Sequence, residues 1–510
     1  MKMPSWLENA VFYEIYPQSF KDSNSDGIGD IKGMIQKLDH IRDLGCNAIW
    51  INPLFDSPFM DAGYDISNYY QVAPRYGTND DLCEFFEEAH KRNIKVILDL
   101  VPGHTSLEHE WFKQSGKMEK NEYTDRYVWT NSCWEMPKGL NFINGMSERD
   151  GCCVTNYYSC QPALNYGFAN PTESWQQSTE DEGPKAMFEE LKNIMRFWLG
   201  MGCDGFRVDM ANSLVKNDED SKATIGKWQE IRQFIDTEFP NSALVAEWGD
   251  PAKSIAGGFH MCFLLHFGDT YYNDMFHCDE PFFSADKRGS AKKFIETYKR
   301  NMLETNGEGL MCIPSGNHDM PRMAKYLDET QIKLAFSFIF AMPGAPFVYY
   351  GDEIGMRYLE GITSVEGGYG RTGSRSPMQW SDNTNAGFSC APKSELYIPI
   401  DESDDRPTVQ KQMTNDNSIM NEVRRLIKLR LDHKALQSSA KLEFVTDDYP
   451  LIIKRTCDDE EITIIINPSS EPVRVDDIDG EILYSVCKNA TLKNGGCELD
   501  GCSTAFVKTK

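Results

Sequence analysis

The sequence has no uninterrupted apolar run long enough to span a bilayer, and its first residues, Met1-Lys2-Met3-Pro4-Ser5-Trp6, contain no apolar signal core. Those absences argue against a membrane partner and predict a cytoplasmic chain. Positive charge is scarce: 52 Lys and Arg stand against 78 Asp and Glu, a formal net charge of −26. Such a deficit disfavours nucleic acid and anionic surfaces and suits a neutral substrate. Of the 15 cysteines no two stand in Cys-x-x-Cys spacing, and Cys152 and Cys153 are adjacent. That pattern matches neither a zinc site nor a disulfide framework, so reduced thiols are expected. There is no internal repeat and no low-complexity segment. No Gly-x-Gly-x-x-Gly follows the first strand candidate, so the main signal of a doubly wound, dinucleotide-binding sheet is missing.

What is present is an alternation of short apolar runs with amphipathic stretches. With 510 residues, 40% of them hydrophobic and 25% charged, the chain is long enough for more than one core. Strand candidates are 11–16, 47–51, 95–101, the run bearing Asp209, 243–246, 261–266, 310–314 and 346–350. Between them Ile31, Met34, Ile35, Leu38, Ile41 and Leu44 fall at helical spacing, as do residues 80–93, 185–201 and 227–239. Eight strands, most followed by a helix, predict an α/β fold of the (β/α)8 TIM-barrel type. Residues 105–170 are too long for an ordinary loop and read as an inserted subdomain after the third strand. A helix over 420–436 ends the alternation, and short strands such as 451–454 and 462–466 predict a C-terminal antiparallel β-sandwich. The expected division is 1–104 and 171–437 for the barrel, 105–170 for the insert and 438–510 for the sandwich.

Polar residues gather just past the strand ends, where barrel enzymes keep their chemistry. The third strand ends Asp99-Leu100-Val101-Pro102-Gly103-His104, and the fourth is Gly205-Phe206-Arg207-Val208-Asp209. The fifth leads into Glu247-Trp248 and the seventh into Asn317-His318-Asp319. An isolated Arg-x-Asp is ordinarily a structural ion pair. Four strand ends carrying such groups to one mouth are harder to explain by packing. Arg207 is expected to hold Asp209 ionised, since an opposite charge within about 4–6 Å favours the charged form.

These segments, with Gln161-Pro162-Ala163-Leu164-Asn165, resemble the ordered motifs of the α-amylase superfamily, glycoside hydrolase family thirteen. The resemblance implies retaining attack on α-glucosidic bonds, with Asp209 as nucleophile, Glu247 as general acid/base and Asp319 stabilising the distorted sugar. Trp248 and nearby carboxylates are expected to raise the pKa of Glu247, and His104 and His318 to donate to sugar hydroxyls. In Gly63-Tyr64-Asp65-Ile66 the tyrosine resembles the family's stacking platform for the sugar.

Two segments resemble the oligo-1,6-glucosidase, α-glucosidase and trehalose synthase subgroup. Asp22-Ser23-Asn24-Ser25-Asp26-Gly27-Ile28-Gly29-Asp30 alternates oxygen ligands, but Gly33 occupies the position of the closing EF-hand glutamate. It resembles the subgroup's structural calcium loop, with Asp22, Asn24, Asp26, the Ile28 carbonyl and Asp30 as implied ligands. Arg375-Ser376-Pro377-Met378-Gln379-Trp380 resembles a segment whose arginine pairs with the aspartate corresponding to Asp65 and closes the sugar pocket. A closed pocket implies exo-action on short oligosaccharides; a transglycosylating or isomerising enzyme, an endo-acting amylase and a catalytically silent scaffold are the alternatives. Gly103, Ala163 and Met210 depart from the family pattern. Gly103 replaces an asparagine that helps hold calcium in α-amylases, and Met210 leaves the linkage open. Oligomeric state is not encoded in these motifs.

Overall fold

All eight strand candidates form. In the computed structural model, which describes residues 2–509, they are β1 Phe12–Ile15, β2 Ala48–Ile51, β3 Lys95–Leu100, β4 Gly205–Val208, β5 Ala243–Ala246, β6 Met261–Phe263, β7 Leu310–Cys312 and β8 Phe347–Tyr349. Neighbours in this order pair in parallel from β1 to β7, and β1 pairs with β8. A parallel bridge between Pro314 and Phe347 closes the cylinder. The strands read as apolar runs rather than alternations because both faces are covered, and every residue in them except Lys95 is buried.

The helices between them follow from spacing and caps. Helix Asn79–Lys91 begins at a reciprocal Thr78–Asp81 capping box and buries Leu82, Phe85, Phe86 and Ala89, one stripe of its surface. Helix Glu329–Ala341 begins at a similar Asp328–Gln331 box. The helix expected over 420–436 runs Ile419–Asp432 and then tightens into a 3-10 turn, Lys434–Leu436, because His433 is extended. Inside the barrel Phe347 stacks on Phe12 at 4.2 Å and meets Phe263 and Trp50 edge-on, an aromatic floor. Gly205 opens β4 at φ +148°, where a Cβ would lie 2.1 Å from the Ala243 carbonyl oxygen; only glycine lets β4 and β5 meet there.

The segment 105–170 carries a two-stranded antiparallel pair, Phe142–Asn144 with Cys152–Val154, over a small core of Val128, Val154, Ala163 and Phe168. It is sewn to the barrel by the His104–Ala163 bridge.

Beyond the last helix the strands are β9 Lys441–Phe444, β10 Leu451–Cys457, β11 Glu460–Asn467, β12 Val473–Asp476, β13 Glu481–Val486, β14 Ala490–Lys493, β15 Gly496–Leu499 and β16 Ser503–Lys508. They form two antiparallel sheets, β9-β10-β11-β16-β13 and β12-β15-β14. Period-two alternation explains why β11 is buried on both sides: Ile462, Ile464 and Ile466 join the barrel core, whereas Ile465 faces the second sheet with Cys497 and Leu499.

Candidate active site

Arg207 is 1% exposed and sits at the C-terminal mouth of the barrel. Its Nη1 donates to Asp99 Oδ1 at 2.8 Å and to Asp209 Oδ1 at 3.0 Å, and its Nη2 pairs with Glu247 Oε2 at 2.5 Å. One guanidinium therefore serves three carboxyl groups from the ends of β3, β4 and β5. Burial pushes the Asp209 carboxyl well up, and against the pull of Arg207 the charges of Glu247 and Asp99 push it further. Burial likewise pushes Asp99 up to about 6. Arg207 pulls Asp209 towards the charged form, the direction the sequence suggested, but it is shared with Asp99 and Glu247 and burial works against it.

Glu247 is oriented from the backbone. Met210 holds a left-handed φ of 39°, and its N–H donates to Glu247 Oε2 at 3.1 Å. Trp248 is buried edge-on against Phe259.

Asp319 has the opposite surroundings. Arg371 Nη1 and Arg375 Nη2 each donate to its Oδ1 at 2.9 Å, and His318 Nε2 lies 3.3 Å from Oδ2. Burial alone would push this carboxyl up, but His318, Arg375 and Arg371 outweigh it and hold Asp319 well below the usual carboxylate range. One mouth thus combines two carboxyls pushed up by burial, Asp99 and Asp209, with one held down, Asp319.

The histidines are placed differently from the sequence expectation. His104 lines the cavity, and burial pushes it down to about 3, so its ring is neutral with a single N–H. That hydrogen goes from Nε2 to the Tyr64 carbonyl at 3.2 Å, and Nδ1 accepts from Asn156 Nδ2 at 3.3 Å. His318 is 0% exposed behind Tyr64, whose ring stacks on it at 5.5 Å, and both its nitrogens have protein partners. Neither has a free N–H for a sugar hydroxyl. Tyr64 faces the cavity and donates to Asp99 Oδ2 at 3.0 Å.

The cavity between these groups holds about 190 Å³ and is lined by Asp61, Tyr64, Asp209, Glu247, Asp319 and Arg371, with His104, Tyr157, Tyr158, Gln161 and Met210 completing the wall. It is small beside the roughly 300–1,000 Å³ of drug-sized ligand sites, a scale that suits one sugar ring.

The expected pair of Asp65 with Arg375 does not form. Asp65 is 0% exposed, and its carboxylate accepts from Met60 N and Asp61 N, both at 2.9 Å, and from Ser57 Oγ at 3.1 Å. It shapes the turn that presents Asp61. Arg375 is 1% exposed and spends its donors on Asp319 and the His318 carbonyl. Arg371 instead reaches Asp61 at 3.4 Å and the Tyr158 hydroxyl at 3.3 Å, and so shuts the far end. Asp61 and Arg371 each lie four residues before the expected partner. Their only trace in the sequence is a second Asp and a second Arg beside the motif residues.

In the loop 22–30, Asp22 Oδ1 accepts from Asn24 N and Ser25 N and its Oδ2 from Gly27 N, while Asn24 and Asp26 accept from Asp26 N and Ile28 N. Asp30 caps helix Ile31–Gln36 through Gly33 N at 2.7 Å and also accepts from Ser23. The donor set is hard oxygen throughout, the chemistry calcium takes. Among the described residues no three Asp, Glu, His or Cys side chains gather closely enough to hold a metal ion.

At Gly103, a departure from the family pattern, a Cβ would lie 2.7 Å from Asn156 Nδ2. Asn156 donates to the Gly103 carbonyl at 2.8 Å, and Lys216 Nζ donates to Asn156 Oδ1 and the Ser213 carbonyl, each at 3.0 Å. A lysine ammonium therefore ties the insert to the loop after β4.

Residues 14–439 match the model of the alpha amylase catalytic domain. The trehalose synthase/amylase of Mycolicibacterium smegmatis is 32% identical over 84% of this chain and 77% of that protein. The oligo-1,6-glucosidase of Parageobacillus thermoglucosidasius is 30% identical over 94% and 93%. The crystal structure of isomaltulose synthase from Klebsiella sp. LX3 aligns over the full length of both chains with a TM-score of 0.84 and 25% identity. No helix among the described residues is long and apolar enough to cross a membrane. Because the match over residues 14–439 spans the barrel from β1 to β8 together with its carboxyl-bearing strand ends, the chain belongs to the α-amylase family of glycoside hydrolases.

Proposed function

We propose that the protein is a retaining, exo-acting α-glucosidase that hydrolyses short malto- or isomalto-oligosaccharides through a covalent glycosyl-enzyme on Asp209. The observation that carries this reading is the Asp61–Arg371 closure of a one-ring cavity directly above Asp209 and Glu247. A chain end enters such a pocket; an internal segment does not.

In the first step Asp209 attacks the anomeric carbon while Glu247, as general acid, gives its proton to the departing glycosidic oxygen. Asp319 stays ionised and stabilises the oxocarbenium character of the transition state. In the second step Glu247 takes a proton from water, which opens the ester at Asp209 with net retention. Such a double displacement works with carboxyls about 5–5.5 Å apart, and two carboxylates on one guanidinium favour short spacing.

Glucosyl transfer or isomerisation is the second reading. Relatives named trehalose synthase and isomaltulose synthase favour it, and Tyr157 and Tyr158 at the cavity offer apolar faces to a leaving sugar. Chromatography after separate incubation with maltose, isomaltose, trehalose, sucrose and maltoheptaose decides. Free glucose from the short substrates supports the exo-glucosidase. Rearranged disaccharides move the protein to the transferases, and internal fragments from maltoheptaose alone overturn the closed pocket.

We also propose that calcium organises the loop 22–30 through Asp22, Asn24, Asp26, the Ile28 carbonyl and Asp30. Hard-oxygen donors at alternate positions support it. Chelation is expected to lower the melting temperature by a few degrees, reversibly on adding calcium, as loss of a ligand of the native state requires. An unchanged melting curve removes the metal. All fifteen cysteines are free thiols, which supports a reducing, cytoplasmic setting.

A further inference from the structure

The mechanism above makes no use of Glu14. This residue stands in β1 at 0% exposure; its Oε1 lies 2.9 Å from His318 Nδ1, and its Oε2 has no partner. Counting donors and acceptors decides which of the two holds the proton between them.

On the far side of the imidazole, His318 Nε2 lies 2.8 Å from the Tyr64 hydroxyl and 3.3 Å from Asp319 Oδ2. Tyr64 gives its own hydrogen to Asp99 Oδ2, which also accepts from Trp50 Nε1 at 3.2 Å, while Asp99 Oδ1 accepts from Arg207. Asp99 therefore only accepts, Tyr64 has no hydrogen left for the ring, and the ionised Asp319 has none to give. The hydrogen of this contact belongs to His318 Nε2.

Asn52 Nδ2, a donor, faces Nδ1 at 3.1 Å, so a hydrogen on that nitrogen would meet another hydrogen and Nδ1 is the lone pair. The surroundings agree, since burial pushes His318 well down, and Arg375, Arg207 and Arg371 push it down further against the pull of Asp319. Glu14 Oε1 approaches the same nitrogen at 2.9 Å. An ionised Glu14 would set two acceptors against each other at hydrogen-bond distance. A carboxyl that keeps its proton makes the contact a bond.

The charges around Glu14 agree. Burial pushes it well above the usual carboxylate range, Arg207 and Asn52 pull it down, and Asp319 and Asp99 push it up.

We propose that Glu14 is a positioning acid: it holds a proton, donates it to His318 Nδ1, and so locks the Nε2–H tautomer that sets Tyr64 and Asp319 against the sugar. The link to turnover rests on the glycosidase reading; the tautomer does not. The chain of contacts from Glu14 through His318, Tyr64 and Asp99 to Arg207 then has one donor at every link.

The test is a long-range proton–nitrogen NMR spectrum of the full-length protein labelled with nitrogen-15 histidine, together with rates on 4-nitrophenyl α-glucoside. His318 is expected to show an unprotonated Nδ1 and a protonated Nε2, unchanged in Glu14→Gln, whose amide donates in the acid's place. Glu14→Gln should keep kcat within about threefold of the wild type. Glu14→Leu, which has no donor, should lose about tenfold or more in kcat at nearly constant KM, the scale seen when a partner orienting a metal-bound histidine is removed. A protonated Nδ1 in the wild type, or a Glu14→Gln loss equal to that of Glu14→Leu, overturns the proposal. If Glu14→Leu does not fold, the spectra of the wild type and Glu14→Gln decide. A substrate left uncleaved by the wild type counts against the glycosidase reading, and the spectra still decide the role of Glu14.

Discussion

Asp209→Asn is expected to lower kcat on 4-nitrophenyl α-glucoside by about 10⁴-fold or more, the scale on which enzymes lose turnover with their nucleophile. The amide keeps an oxygen for Arg207 Nη1, now 3.0 Å from Oδ1, but it cannot form the glycosyl ester. The fold should not suffer. Glu247 and Asp99 repel the charge of Asp209, so an uncharged side chain relieves the cluster, and the melting temperature should stay level or rise slightly. Initial rates and a thermal scan on one preparation test both halves. Residual turnover above about one hundredth of wild type would remove Asp209 from the nucleophile's role.

Arg207→Met is the complementary case, with damage to fold and turnover together. The guanidinium is 1% exposed, so water screens little of its interaction with Asp99, Asp209 and Glu247. Removing one partner of a buried ion pair costs about 3–5 kcal/mol, because the remaining charges stay buried without compensation. Arg207 lowers both Asp99 and Asp209, so with the cation gone these two carboxyls rise and take up protons. Ionised Asp209 is then recovered only at higher pH, and the acid limb of residual activity moves up. Denaturant unfolding and a pH–rate profile measure these effects. An unchanged unfolding midpoint would mean that the cluster is solvated and that Arg207 is no hub.

Much of this architecture was legible in the residues themselves. Each barrel strand is a short apolar run buried on both faces, so its position follows from local composition, and helices such as Asn79–Lys91 announce themselves by caps and a buried stripe. Closing eight parallel strands brings all their C-terminal ends to one mouth. Reading Asp209, Glu247 and Asp319 as neighbours needed nothing more.

Pairings across long sequence distances were less accessible. The family resemblance implied that Asp65 and Arg375 would close the pocket, but Asp61 and Arg371, the pair that meets, are 310 residues apart and each has a rival four residues on. Only the folded chain shows that Asp65 is consumed by two backbone N–H groups of its own turn, and Arg375 by Asp319 and a carbonyl. The same holds for the sharing of Arg207 among Asp99, Asp209 and Glu247, and for the protein partners that His104 and His318 take. The sequence by itself determined the barrel, the insert, the terminal sandwich and the chemical types at the strand ends, because periodicity and burial act over a few residues at a time. Tertiary structure decided which donor meets which acceptor, because every buried polar group must find a partner and the competition among candidates is settled only by their positions in space.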